Sequence, residues 1–234
     1  QWLHVASTRF LTWYGHHRKR GHQATEAMQI LPNFRGTMVH DFWASYFRYP
    51  SRHALCNAHI LRELAGITEN YGQKWSEQLR ALILEMRTDV DAVRGTSGSL
   101  SREKIVEFEL SYSRIVKDGF AENPIPHWSI QPIKRGRKKQ SKARNLLDRC
   151  HKYKTQILSF IRDFSVPFSN NQAERDIRMA KLQQKISGTF RSEEGAASFC
   201  RIRGYLSTVK KNDRPVLDSL VCAFEGNPFI PSFT

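Results

Sequence analysis

The sequence predicts an α/β (α+β) chain in which a mixed sheet is flanked by helices, with a mostly helical insertion and a helical C-terminal part. Three observations carry this expectation. Four short β-prone runs, at residues 2–6, 10–14, 36–40 and 53–56, fall within the first 65 residues around one helical stripe. Long amphipathic stripes follow between residues 75 and 164. The last 70 residues then carry three more helical patterns with start and stop signals.

Taken in order, residues 2–6 and 10–14 are joined by Ser7-Thr8-Arg9, which reads as a hairpin. Ala24, Ala27, Met28 and Leu31 recur at i, i+3, i+4 and i+7, marking a helix that stops at Pro32. Residues 36–40 form a third strand that delivers Asp41 at its carboxyl end, and residues 53–56 a buried strand followed by a helix through Leu64. Trp75, Leu79, Leu82, Ile83, Met86, Val90 and Val93 make one helix face. Gly95-Thr96-Ser97-Gly98-Ser99 breaks it, and a second helix over 102–117 buries Ile105, Phe108, Tyr112 and Ile115. Pro124, Pro126 and Pro132 mark irregular chain. Residues 145–164 read as one helix with Leu146, Leu147, Cys150, Tyr153, Ile157, Phe160 and Ile161 inward. A helix over 171–184 has Ala173, Ile177 and Ala180 at helical spacing. One over 194–209 buries Ala197, Cys200 and Leu206 and shows Arg201 and Lys211 to solvent. Pro215 starts a short last helix closed by Gly226.

Charge narrows the function classes. With 37 Lys+Arg against 22 Asp+Glu the formal net charge is +15, which favours a polyanionic partner, nucleic acid foremost. The run Lys134-Arg135-Gly136-Arg137-Lys138-Lys139-Gln140-Ser141-Lys142-Ala143-Arg144 carries seven positive charges and no acid. It reads as a phosphate-binding segment or as a solvated loop. No run approaches the roughly 18 apolar residues of a membrane span, so no membrane partner is expected. The four cysteines are widely spaced, which fits reduced thiols and a cytoplasmic location. The chain opens on Gln1, directly into apolar sequence, and reads as a piece of something longer.

Three places carry candidate chemistry. Glu174 lies one helical turn from Asn171 and from Arg178, with Lys181 continuing the face. An acid among amides and cations suits a metal ion that binds a phosphodiester, and it equally suits an ordinary Glu–Arg pair. Asp41, at a strand's carboxyl end, is placed where functional groups collect, or caps a helix that begins at Phe42. Cys56 and His59 form a Cys-x-x-His pair without the partner pair a zinc site needs. They read as active-site neighbours or as a buried thiol beside a hydrogen-bonded imidazole.

The block Asn170-Asn171-Gln172-Ala173-Glu174-Arg175-Asp176-Ile177-Arg178-Met179, followed by Lys185-Ile186-Ser187-Gly188-Thr189-Phe190-Arg191-Ser192, resembles the C-terminal signature of the bacterial insertion-sequence transposase family numbered sixty-six. The likeness extends to Val39-His40-Asp41-Phe42-Trp43-Ala44-Ser45-Tyr46, to residues 53–64 and to Arg201-Ile202-Arg203-Gly204-Tyr205-Leu206-Ser207-Thr208. The blocks stand in family order and cover most of the chain.

The resemblance implies a DDE transposase with an RNase-H-like catalytic core. It implies Asp41 and Glu174 as catalytic and metal-binding acids and Mg²⁺ or Mn²⁺ as cofactor, two ions in the complete site. Asn171, Arg175, Arg178, Lys181, Lys185 and Arg191 are the expected DNA contacts, together with Lys134, Arg135, Arg137, Lys138 and Lys139. The implied partners are insertion-sequence ends and target duplex, a second copy of the chain on DNA, and accessory proteins of the same element; no residue specifies the last two. The family places its first aspartate before the strand that begins near Trp2, and no acid here precedes Glu26. The expectation is therefore a core missing its first strand, active or a DNA-holding remnant. Its expected parts are 1–65 for the start of the core, 66–144 for a helical insertion with basic linker, and 145–234 for the helical part carrying Glu174. The sequence distance between Asp41 and Glu174, too long for a simple sheet-to-helix connection, supports the insertion.

Overall fold

The computed structural model describes residues 2–125 and 140–232 and is mixed α/β with a helical majority. The chain divides into two compact units, one of residues 1–35, 44–51 and 170–234, the other of residues 36–43 and 52–169.

The first unit begins with β1 (Trp2–Ser7) and β2 (Thr12–His17), an antiparallel hairpin registered so that Ser7 faces Thr12 and Val5 faces Tyr14. The expected hairpin is present, with β2 starting two residues later than the β-prone run because Thr8 Oγ1 accepts from the Phe10 and Leu11 N–H groups and holds those residues in the turn. Helix α1 (His22–Ala27) ends early: Gln29 adopts φ 55°, which stops the α-helix before Leu31, and a 3₁₀ turn at Leu31–Asn33 follows.

Three helices complete this unit. They are α8 (Asn171–Ser187), α9 (Glu193–Lys211) and α10 (Val216–Phe224), numbered after the six helices of the second unit described below. Ser192 caps α9 by accepting from the Gly195 N–H at 3.0 Å, with Glu193 and Glu194 in the first turn and Lys210 and Lys211 in the last. The buried ridge of α9 is Ala196, Cys200, Gly204 and Thr208, rather than the larger Ala197–Cys200–Leu206 set. The small ridge is what permits close packing on β2: a Cβ at Gly204 would lie 3.2 Å from the Thr12 carbonyl oxygen. On α10, Leu217, Val221 and Phe224 are exposed.

The second unit holds β3 (Thr37–His40) and β4 (Arg52–Leu55), paired in parallel with His40 opposite Leu55. Its helices are α2 (Asn57–Tyr71), α3 (Lys74–Val93), α4 (Arg102–Glu122), α5 (Lys142–Lys152), α6 (Lys154–Ile157) and α7 (Ser159–Arg162). The apolar stripes become its core: Trp75, Leu79, Ile83, Met86 and Val90 of α3, Ile60, Leu64 and Ile67 of α2, Phe108 and Tyr112 of α4, and Leu146, Leu147 and Cys150 of α5 are buried. Burial pushes the Cys150 thiol up to about 12. The expected single helix over 145–164 is instead three, with non-helical breaks at Tyr153 and Leu158. The breaks turn Ile157, Leu158, Phe160 and Ile161 all inward, a span wider than the apolar stripe of a straight amphipathic helix.

Candidate functional site

In the second unit, Asp41 follows β3 directly, and its side chain is exposed. No helix starts at Phe42, which has φ 69°, so the capping alternative for Asp41 is not realised. The strand end is pinned by the Cys56 N–H, which donates to the His40 carbonyl at 3.0 Å. Cys56 is thereby set beside Asp41 at the carboxyl edge of the parallel pair, as the N-cap residue of α2. Its carbonyl accepts from the His59 N–H at 3.1 Å. His59 therefore lies in the first turn of α2, one turn on from Cys56. Among the described residues no three His, Cys, Asp or Glu side chains form a metal cage.

Behind Asp41 lies a histidine pair that sequence reasoning passed over. His40 Nε2 and His53 Nδ1 are 3.1 Å apart, the rings edge to face, and His40 is buried. Burial first, then the neighbouring His53, lowers His40 to about 4, while Asp41 acts in the opposite sense. His40 is therefore neutral at pH 7, and it meets His53 only through the parallel pairing of β3 with β4, which no local sequence signal announces.

In the first unit, Glu174 occupies the first turn of α8, its N–H donating to the Asn170 carbonyl at 3.2 Å. At 100° per residue, Asn171, Glu174, Arg178, Lys181 and Lys185 fall within one narrow stripe. Asn171, Arg178, Lys181 and Lys185 on it are exposed, as are Arg175 beside it and Arg191 beyond the helix. A carboxylate set in a row of cations can hold a divalent ion and attract phosphates at the same face. Lys134, Arg135, Arg137, Lys138 and Lys139 lie outside the described residues.

The opposite side of α8 carries half-buried Ala173, Ile177 and Ala180, and Asp176 ties it to the hairpin. The Asp176 carboxylate accepts from Ser7 Oγ at 2.5 Å, Thr12 Oγ1 at 3.3 Å, Gln172 Nε2 at 3.1 Å and Lys211 Nζ at 2.8 Å. Its backbone carbonyl accepts from the Tyr14 hydroxyl at 2.6 Å. Burial, and then the Asp176 charge, raise the Tyr14 phenol above its ordinary range. Lys211, expected at the surface, is instead enclosed in this pair.

The chain matches the family model described as Transposase IS66 family over residues 1–198. It belongs to that transposase family. No curated protein and no solved structure matches it. In this transposase both acids and the Cys-x-x-His pair lie inside the matched span, and DNA is the substrate the family implies. Asp41 belongs to the second unit and Glu174 to the first, each held by its own local scaffold. Among the described residues no helix is long and apolar enough to cross a membrane.

Proposed function

We propose that this chain is a DDE-type DNA transposase core that cleaves and transfers strands at insertion-sequence ends with the help of Mg²⁺ or Mn²⁺. The observation that carries the reading is the placement of Asp41 at the carboxyl end of β3, on a rigid strand pair, and of Glu174 in a cationic stripe on α8. Mg²⁺ takes a few carboxylates and keeps several waters, so exposed Asp41 and half-buried Glu174 suit it as hard oxygen ligands, whereas buried Cys56 does not. When bound, two such ions activate the attacking oxygen and stabilise the leaving one.

The chain's own groups have separable roles. Asp41 and Glu174 supply the negative oxygens. Asn171, Arg175, Arg178, Lys181 and Lys185 bind and align the phosphodiester backbone, with Arg191 and the basic run 134–139 adding contacts that carry no sequence information. Each phosphate contact makes log K fall by about 0.9 per log unit of salt. We place this core on an RNase-H-like fold, start at 1–65 and helical end at 145–234, with 66–144 as the insertion. It acts in the bacterial cytoplasm on nucleoid DNA, as a multimer pairing two ends, with accessory proteins of the element.

The test is metal-dependent nicking of end-containing duplex by the intact transposase. Asp41→Asn and Glu174→Gln abolish it while leaving the thermal transition in place; cleavage by both variants at the parent rate overturns the assignment. The second reading, a chain that holds DNA without cutting it, draws on the formal net charge of +15, which serves DNA binding whether or not the strand is cut. It predicts salt-sensitive duplex binding with no nicking by the parent protein at any Mg²⁺ or Mn²⁺ concentration.

A further inference from the structure

Helix α8 runs for 17 residues and buries none of them fully, although it carries Glu174. Apolar packing therefore does little to fix its rotation: Ala173 and Ala180 present single methyl groups, and only Ile177 is large. What is directional and enclosed is polar. The side chains of Asp176 and Lys211 are 9% and 10% exposed. Lys211 Nζ, from the last turn of α9, lies within hydrogen-bonding distance of Asp176 Oδ2 (2.8 Å), Ser7 Oγ (2.7 Å), and the Thr8 and Leu11 carbonyls (2.9 and 3.0 Å). Thr12 Oγ1, itself 2.8 Å from Ser207 Oγ, adds α9 to the same network, and the Tyr14 hydroxyl reaches the Asp176 carbonyl.

We infer that the Asp176–Lys211 pair is a positioning lock that sets the azimuth of α8 on the β1–β2 hairpin and so aims Glu174. The inference rests on the catalytic reading of Glu174 given above. Asp176 touches neither substrate nor metal in this scheme; it acts through the helix. Glu174 lies two residues earlier, 200° around the axis, so holding Asp176 against the hairpin turns Glu174 to the opposite side. Hydrogen bonds to a charged group are the stronger and more geometrically demanding kind. A displacement of about 1 Å at a catalytic group costs on the order of 100-fold in rate.

The test compares Asp176→Asn, Lys211→Met and the double variant Asp176→Asn/Lys211→Met in the intact transposase. Each single variant leaves one partner buried without its counter-charge and is expected to lose stability; the double variant removes both charges and regains most of the thermal transition. Three readouts are taken on the double variant. Amide hydrogen exchange across residues 171–180 is expected to speed up at least about tenfold. The nicking kcat is expected to fall by on the order of 100-fold with KM for DNA within about twofold. The Mn²⁺ concentration that half-saturates binding, followed by the paramagnetic signal of the free ion, is expected to rise. Parent-like exchange and parent-like Mn²⁺ binding in the double variant overturn the lock. So does a kcat that recovers together with the thermal transition, since a merely structural pair predicts that. Glu174→Gln in the same assay separates the two levels: if it cleaves at the parent rate the catalytic reading fails, whereas exchange still decides whether the pair holds the helix.

Discussion

Acidification tests the histidine pair behind Asp41. His40 is held at about 4 by burial and by His53, against 6.5 for an exposed imidazole. A histidine whose folded value is depressed binds its proton in the unfolded chain first. Stability is therefore full above the unfolded value and declines as pH falls from 6.5 towards 4, because ∂ΔG/∂pH follows the extra protons of the unfolded state. The whole shift corresponds to about 3 kcal/mol, of which about 2 kcal/mol is lost between pH 7 and pH 5. Carboxylates titrate over part of the same window, so the measurement is a difference. Urea unfolding of the metal-free protein is followed at intervals from pH 7.5 to pH 4.5, for the parent and for His40→Gln. The parent should lose about 2 kcal/mol more than the variant between pH 7 and pH 5. Identical slopes for the two proteins would refute the claim that His40 is buried neutral beside His53.

Three further perturbations probe the scaffold. A Cβ at Gly119 would stand 2.6 Å from Leu147 Cδ2 and 2.9 Å from the Trp75 ring, so Gly119→Ala should lower stability by about 1–3 kcal/mol in denaturant unfolding. Buried Asn57 donates its side-chain amide to the Ile157 carbonyl at 3.1 Å, and its backbone N–H to Phe168 at 3.0 Å. Asn57→Ala orphans the Ile157 carbonyl and should cost about 1–3 kcal/mol by the same measurement. Ser192→Ala removes the cap of α9 and should cost about 1 kcal/mol, with hydrogen exchange rising in the first turn of that helix alone.

Much of the fold was legible because period and stop signals are local. The 3.6-residue stripe of α3 became its buried face, and the β-prone runs became strands with ends shifted by up to three residues. Where the reading failed, a non-local cause was at work. Residues 145–164 carry an apolar stripe that suits one helix, and the pull of a shared core on Leu158 as well as Ile157 broke it in three. Helix α1 lost its last turn to the left-handed backbone at Gln29, a residue type with no special preference for it.

By itself the sequence pointed to a polyanionic partner, through an excess of 15 positive charges, and to the family, through motif blocks that need only order and spacing and that the family match over residues 1–198 bears out. It also determined that Glu174 shares a helix face with Arg178, Lys181 and Lys185, since that follows from 100° per residue. Only the tertiary structure decided which charges are withdrawn from solvent. Lys211 and Asp176 look like two more surface groups in the chain, yet they are buried together because α9, α8 and the hairpin turn close around them. Likewise His40 and His53, 13 positions apart, meet only because β3 and β4 pair in parallel. Burial and long-range pairing depend on the packing of distant segments, and no window of the sequence contains them.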